Sequence, residues 1–136
     1  MSTLTLDLAR RIAGSAETAA AQQGVPVVIT VVDAGIQPVI ALRQDGAPFA
    51  AIDASLSKAR TTLYFGGTAT ADLAGATAPG GPLFGIEHAV AAPLAFLGGA
   101  VAIRDAQGAV IGAIGVGGGS AEQDHAIATA GAAAAS

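Results

Sequence analysis

Residues Pro26 to Arg43 read PVVITVVDAGIQPVIALR, and this stretch decides the fold class. The run Pro26–Asp33 is rich in β-branched side chains, which suit a pleated, half-buried surface. Asp33, Ala34 and Gly35 then supply turn chemistry, and Pro38–Arg43 is a second strand-like run. Two strands joined by so short a connection predict an antiparallel hairpin.

Working outward, Leu8, Ile12, Ala16 and Ala19 recur at helical spacing between Leu4 and about Gln23. Thr3 is placed to cap this helix, Asp7 suits its positive first turn, and Gly24 ends it. On the other side, Ile52, Leu56, Ala59 and Leu63 predict one face of a helix reaching Phe65, stopped by Gly66 and Gly67. Thr68–Gly85 is small, polar and broken by Pro79, Gly80, Gly81 and Pro82, which predicts a short helix over Thr70–Gly75 and then a loop. Strands are expected at Gly99–Arg104 and Ala109–Val116 around the turn Asp105–Gly108, with a further one within Ala89–Phe96. Ser120 with Gln123 three residues on is a capping box that opens a last helix. The order α-ββ-α-loop-βββ-α predicts an α+β fold with an antiparallel sheet of about five strands flanked by helices. Neither a repeat nor an interdomain linker interrupts it, so residues 1–136 are expected to form one domain.

Composition narrows the function classes. The 136 residues contain no cysteine, which excludes disulfides, thiolate metal sites and cysteine nucleophiles. Six Lys and Arg against ten Asp and Glu give a formal charge of −4, the wrong sign for gripping phosphate, so nucleic acid is not an expected partner. The 52% apolar fraction owes much to alanine, and charges or glycines interrupt every apolar run before it could span a bilayer. The opening MSTLTLDLARR places its arginines after its leucines, opposite to a secretory leader, and a cytoplasmic location is expected.

Five segments in this order resemble the GlcG/HbpS-like family: VVDAG (Val31–Gly35) with LRQDGA (Leu42–Ala47), SKARTT (Ser57–Thr62), LGGAVAIRD (Leu97–Asp105) and GAVIGAIGVGGGSAEQDHAIA (Gly108–Ala128). Relatives of that family include haem-binding proteins, glycolate-operon proteins and the C-terminal domain of PduO-type proteins. The resemblance implies a curved, PAS/profilin-like antiparallel sheet and a symmetric homo-oligomer of four or more subunits. It does not imply one activity. Gly117 departs from the family's GVSGG pattern, where serine is common, and no residue carries over as a haem axial ligand.

Several groups are candidates for chemistry. Lys58 is the only lysine, matches the family's KA-x-T pattern and is placed on a helix flank with Ser55 and Thr62, where it can meet a carboxylate or act as a base. The bland alternative is a surface lysine lying along its own stem. His88 and His125 are the only histidines, and His88 follows Glu87 at the exit of the glycine–proline loop, so His88 and Lys58 are the catalytic candidates. Gly117, Gly118, Gly119 and Ser120 lead from strand to helix, where free amides hold anions, with Asp124 and His125 in the next turn. Asp124 there also suits the helix dipole whatever the protein does. Leu83, Phe84 and Ile86 are expected to cover the apolar body of a ligand. No dinucleotide fingerprint, P-loop or metal-ligand spacing is present.

Two readings follow. The first is a small-ligand-binding homo-oligomer for haem or another carboxylated molecule. The second is a cofactor-independent enzyme acting on a small oxo or hydroxy compound. The alanine-rich faces of the first helix (Ala13, Ala16, Ala19–Ala21) and the last (Ala126, Ala128, Ala130, Ala132–Ala135) are the expected contact between subunits.

Overall fold

The hairpin forms as its sequence requires. In a computed structural model that describes residues 3–136, β1 (Val28–Asp33) and β2 (Pro38–Arg43) run antiparallel from Val28 opposite Arg43 to Val32 opposite Pro38. Asp33 fixes the turn: its Oδ1 accepts from the Gly35 and Gln37 amides at 2.9 and 3.0 Å. Met1 and Ser2, the start of the segment read for a secretory leader, lie outside the described residues.

Helix α1 (Leu6–Gln23) precedes the hairpin and is ended by Gly24 at φ 68°. Its cap is Thr5 rather than Thr3, because the helix starts late enough for the Thr5 hydroxyl to meet the Leu8 amide. After the hairpin come α2 (Ala50–Tyr64), α3 (Thr70–Thr77), a single 3₁₀ turn (Ile86–Ala89), β3 (Ala100–Arg104), β4 (Val110–Gly117) and α4 (Ala121–Ala133). The strands make one open antiparallel sheet in the order β2-β1-β4-β3. The fold is α+β, but the sheet has four strands rather than about five. The segment Ala89–Phe96 is not a strand. Proline at 93 removes an amide that a ladder would need, and α2 ties the segment down instead. Arg60 donates to the Pro93 carbonyl at 3.0 Å, and Thr61 Oγ1 accepts from the Ala95 amide at 2.9 Å.

Alternation along β4 gives the sheet two unlike faces. Ile114 and Val116 join Ile29 and Val31 in the main core, roofed by α1 and α4. Four of the twelve alanines expected to face a neighbouring subunit are used here: Ala13, Ala16, Ala20 and Ala128 are buried with Ile12 and Ile127 inside the protomer, while Ala21, Ala126 and Ala133 are exposed. The other face presents Ala113, Gly115 and Gly117 to α2. A Cβ on Gly115 would collide with the Ser55 carbonyl, so the glycine lets the α2 backbone press directly on the sheet.

That close approach turns α2 away from its expected orientation. The residues beneath it are Ala51, Ser55, Lys58, Ala59 and Thr62, all buried. Of the apolar stripe read from the sequence, only Ala59 is buried; Leu56 and Leu63 are half-buried flanks, and Ile52 is 45% exposed. Thr30 and Ser55 share a hydrogen bond of 2.8 Å between sheet and helix.

Candidate functional site

Lys58 is held under α2 rather than along its surface. Its Nζ donates to the Val116 carbonyl at 2.9 Å and to Asp124 Oδ2 at 3.0 Å. The two side chains are 3% and 2% exposed, so a cation and an anion from helices on opposite sides of β4's end meet away from water. Gly99 makes room for this arrangement: a Cβ there would lie 2.7 Å from Lys58 Nζ. The other Asp124 oxygen, Oδ1, accepts from the Gly119 amide at 2.9 Å.

The glycine loop is therefore organised from within. The Gly119 amide serves Asp124, and the Ser120 amide donates to Gln123 Oε1 at 2.9 Å while Ser120 Oγ accepts from the Gln123 amide, completing the capping box. Gly117 is buried at the end of β4 and Gly118, exposed at φ 121°, turns the chain toward α4. Lys58, Asp124 and the Gly119–Ser120 amides form one structural clasp that joins α2, β4 and α4.

Beside this clasp lies a cavity of about 290 Å³ lined by Ala71 and Ala74 of α3, Gly98, and Ala121, Glu122 and His125 of α4. His125 is one of these lining residues, and its Nδ1 is buried without a hydrogen-bond partner among the described residues. Gly98 closes one wall so tightly that a Cβ would sit 2.8 Å from the Ala121 carbonyl. Of the residues singled out from sequence, His125 alone lines this cavity. Leu83, Phe84, Ile86, Glu87 and His88 belong to a separate surface loop, docked on α3 through the Leu83 amide and the Ala76 carbonyl at 2.8 Å. Phe84 is 64% exposed. The His88 side chain is 86% exposed, 3.7 Å from Glu87. Among the described residues neither histidine hydrogen-bonds Lys58, whose partners are the Val116 carbonyl and Asp124. Sequence reading missed Glu122, although its spacing three residues before His125 puts both on one side of α4. Among the described residues, no cluster of three or more His, Asp or Glu side chains forms a metal site.

A family model described as haem degrading protein HbpS-like matches residues 4–133. The chain belongs to the HbpS-like family. Relatives support the same placement. It is 35% identical over 128 residues to an uncharacterized 15.0 kDa protein of the dhaT-dhaS intergenic region of Citrobacter freundii, covering 94% of this chain and 89% of that one. It is 36% identical over 104 residues to the corrinoid adenosyltransferase PduO of the same organism, covering 76% of this chain and only 30% of PduO. The crystal structure of a PduOC:haem complex superposes with a TM-score of 0.90 at 32% identity, over 98% of this chain and 95% of that one. No helix among the described residues is long and apolar enough to cross a membrane.

Proposed function

We propose that this member of the HbpS-like family is a small-ligand-binding homo-oligomer, and that haem or a similar planar, carboxylated molecule is its ligand. The observation that carries the reading is the near-complete superposition on a relative solved with haem. Common fold alone would be weak support. Here the likeness extends to a third of the sequence over almost the whole chain.

The residues of one protomer fit a closed haem pocket poorly. The His125 cavity, at about 290 Å³, falls at the lower edge of the roughly 300–1,000 Å³ that encloses drug-sized ligands. His88 stands on an open surface beside Phe84 and Leu83. A planar ligand would rest on an exposed face and be covered by a second copy, with Leu83, Phe84, Ile86 and His88 against it. His125 and Glu122 would meet a smaller polar group. Lys58, Asp124 and the Gly119 and Ser120 amides are assigned to holding the fold, because their hydrogen bonds are already made.

Titrating haemin into the protein at micromolar concentration tests the reading. A saturable Soret shift, weakened by His88→Ala or Phe84→Ala and accompanied by an oligomer in native mass spectra, is the expected result. A linear, unsaturable response removes haem, and a ligand-free monomer removes the whole reading.

A further inference from the structure

Helix α2 covers the sheet unevenly. It packs on β4, β1 and β3, leaving the edge strand β2 largely bare on this side. A groove of about 460 Å³ results, with Val28, Thr30 and Ala41 as its floor and Ile52 and Leu56 as its helical wall. Two residues of the α2 apolar stripe, Ile52 and Leu56, line this groove rather than the sheet beneath the helix, and Phe49 lies next to it against Arg43. Ile52 is 45% exposed, and Phe49, just before the helix, is 77% exposed. An amphipathic helix ordinarily turns such residues inward. This one carries part of its apolar stripe to the outside of the protomer.

The groove carries one charge of each sign. Arg43 stands on the strand side, over the Phe49 ring at 5.2 Å, and Asp53 stands on the helix side in the first turn of α2. Neither forms an ion pair among the described residues. One charge of each sign selects no net anion or cation. It is compatible with its own image: a two-fold rotation would set Arg43 of one copy against Asp53 of the other, twice, and would bring the exposed Ile52 and Phe49 of both copies together. Isologous contacts of this kind are the commonest form of self-assembly.

We propose that the β2–α2 groove is a self-docking surface, occupied by the same groove of a second copy of this chain. The proposal rests on the homo-oligomer reading above and names the surface that makes it. It also moves the contact away from the alanine faces of α1 and α4.

Charge reversal tests both the surface and its symmetry. Arg43→Glu and Asp53→Lys alter exposed side chains, so each variant should keep the fold's circular dichroism. Each alone places like charges together across the two-fold and should raise the dissociation constant at least about tenfold at low salt, dropping the assembly to a smaller species. Mixing the two variants restores both pairs. The carboxylate introduced by Arg43→Glu meets the ammonium introduced by Asp53→Lys, while the unaltered Asp53 of the first chain meets the unaltered Arg43 of the second. The mixture should therefore regenerate the parental assembly in native mass spectra. Single reversals that assemble as tightly as an oligomeric parent, or a mixture that fails to recover, would overturn the groove while leaving the homo-oligomer standing. A parent sedimenting as a 13.0 kDa monomer at micromolar concentration would overturn both.

Discussion

Replacing Lys58 by methionine removes the cation of the clasp while keeping most of its stem volume. The loss is not confined to one hydrogen bond. Asp124 is left as a buried anion, 2% exposed, with the Gly119 amide as its remaining side-chain partner, and the Val116 carbonyl loses its Lys58 donor. Breaking a buried pair from one side costs about 3–5 kcal/mol, because the surviving charge stays desolvated. Against a total stability of about 5–15 kcal/mol this is a large fraction. For a chain of this size each kcal/mol lowers the melting temperature by roughly 3–5 °C, so Lys58→Met should melt about 10–20 °C below the parent. The double variant Lys58→Met with Asp124→Asn removes both charges, and the amide oxygen can still accept from Gly119. It should recover part of the loss, giving a coupling energy of at least about 2 kcal/mol in a double-mutant cycle. Urea and thermal denaturation at one fixed protein concentration are the assays, since self-association makes melting concentration-dependent. A single variant within about 1 kcal/mol of the parent, or a double variant equal to the sum of the singles, would refute the clasp.

Gly115→Ala should destabilise by about 1–3 kcal/mol or more, since its Cβ has no space beneath the Ser55 carbonyl and α2 must lift; an unchanged urea midpoint would show that the helix does not press on the sheet. Ser120→Ala removes the acceptor for the Gln123 amide at 3.1 Å and should cost about 1 kcal/mol, read as a lower melting temperature with the fold's circular dichroism retained. Thr30→Val loses the buried hydrogen bond to Ser55 but keeps the volume, and about 1 kcal/mol of destabilisation is expected in urea melts.

Local chemistry was legible where it acts over a few residues. The β-branched runs and Asp33 predicted the first hairpin, Gly24 predicted the end of α1, and Ser120 with Gln123 predicted the cap of α4. Each is decided by neighbours along the chain, through turn geometry or a helix terminus. The ordered segments around them also carried the family resemblance. The extra strand within Ala89–Phe96 failed because two α2 side chains, distant in sequence, hold that segment.

What only the tertiary structure decided is which side of each element faces inward. Periodicity placed Ile52, Leu56, Ala59 and Leu63 on one face of α2 but could not say that the opposing strand offers small residues. Ala113, Gly115 and Gly117 do so at every second position of β4, a spacing visible in the sequence but interpretable only once α2 is known to lie across it. The same close approach brings Lys58 to Asp124, 66 residues along the chain, and converts two candidate ligand contacts into a buried pair. Sequence lists which groups can ionise, cap or turn; the register between helix and sheet determines which of them spend that capacity on each other and which are left for a partner.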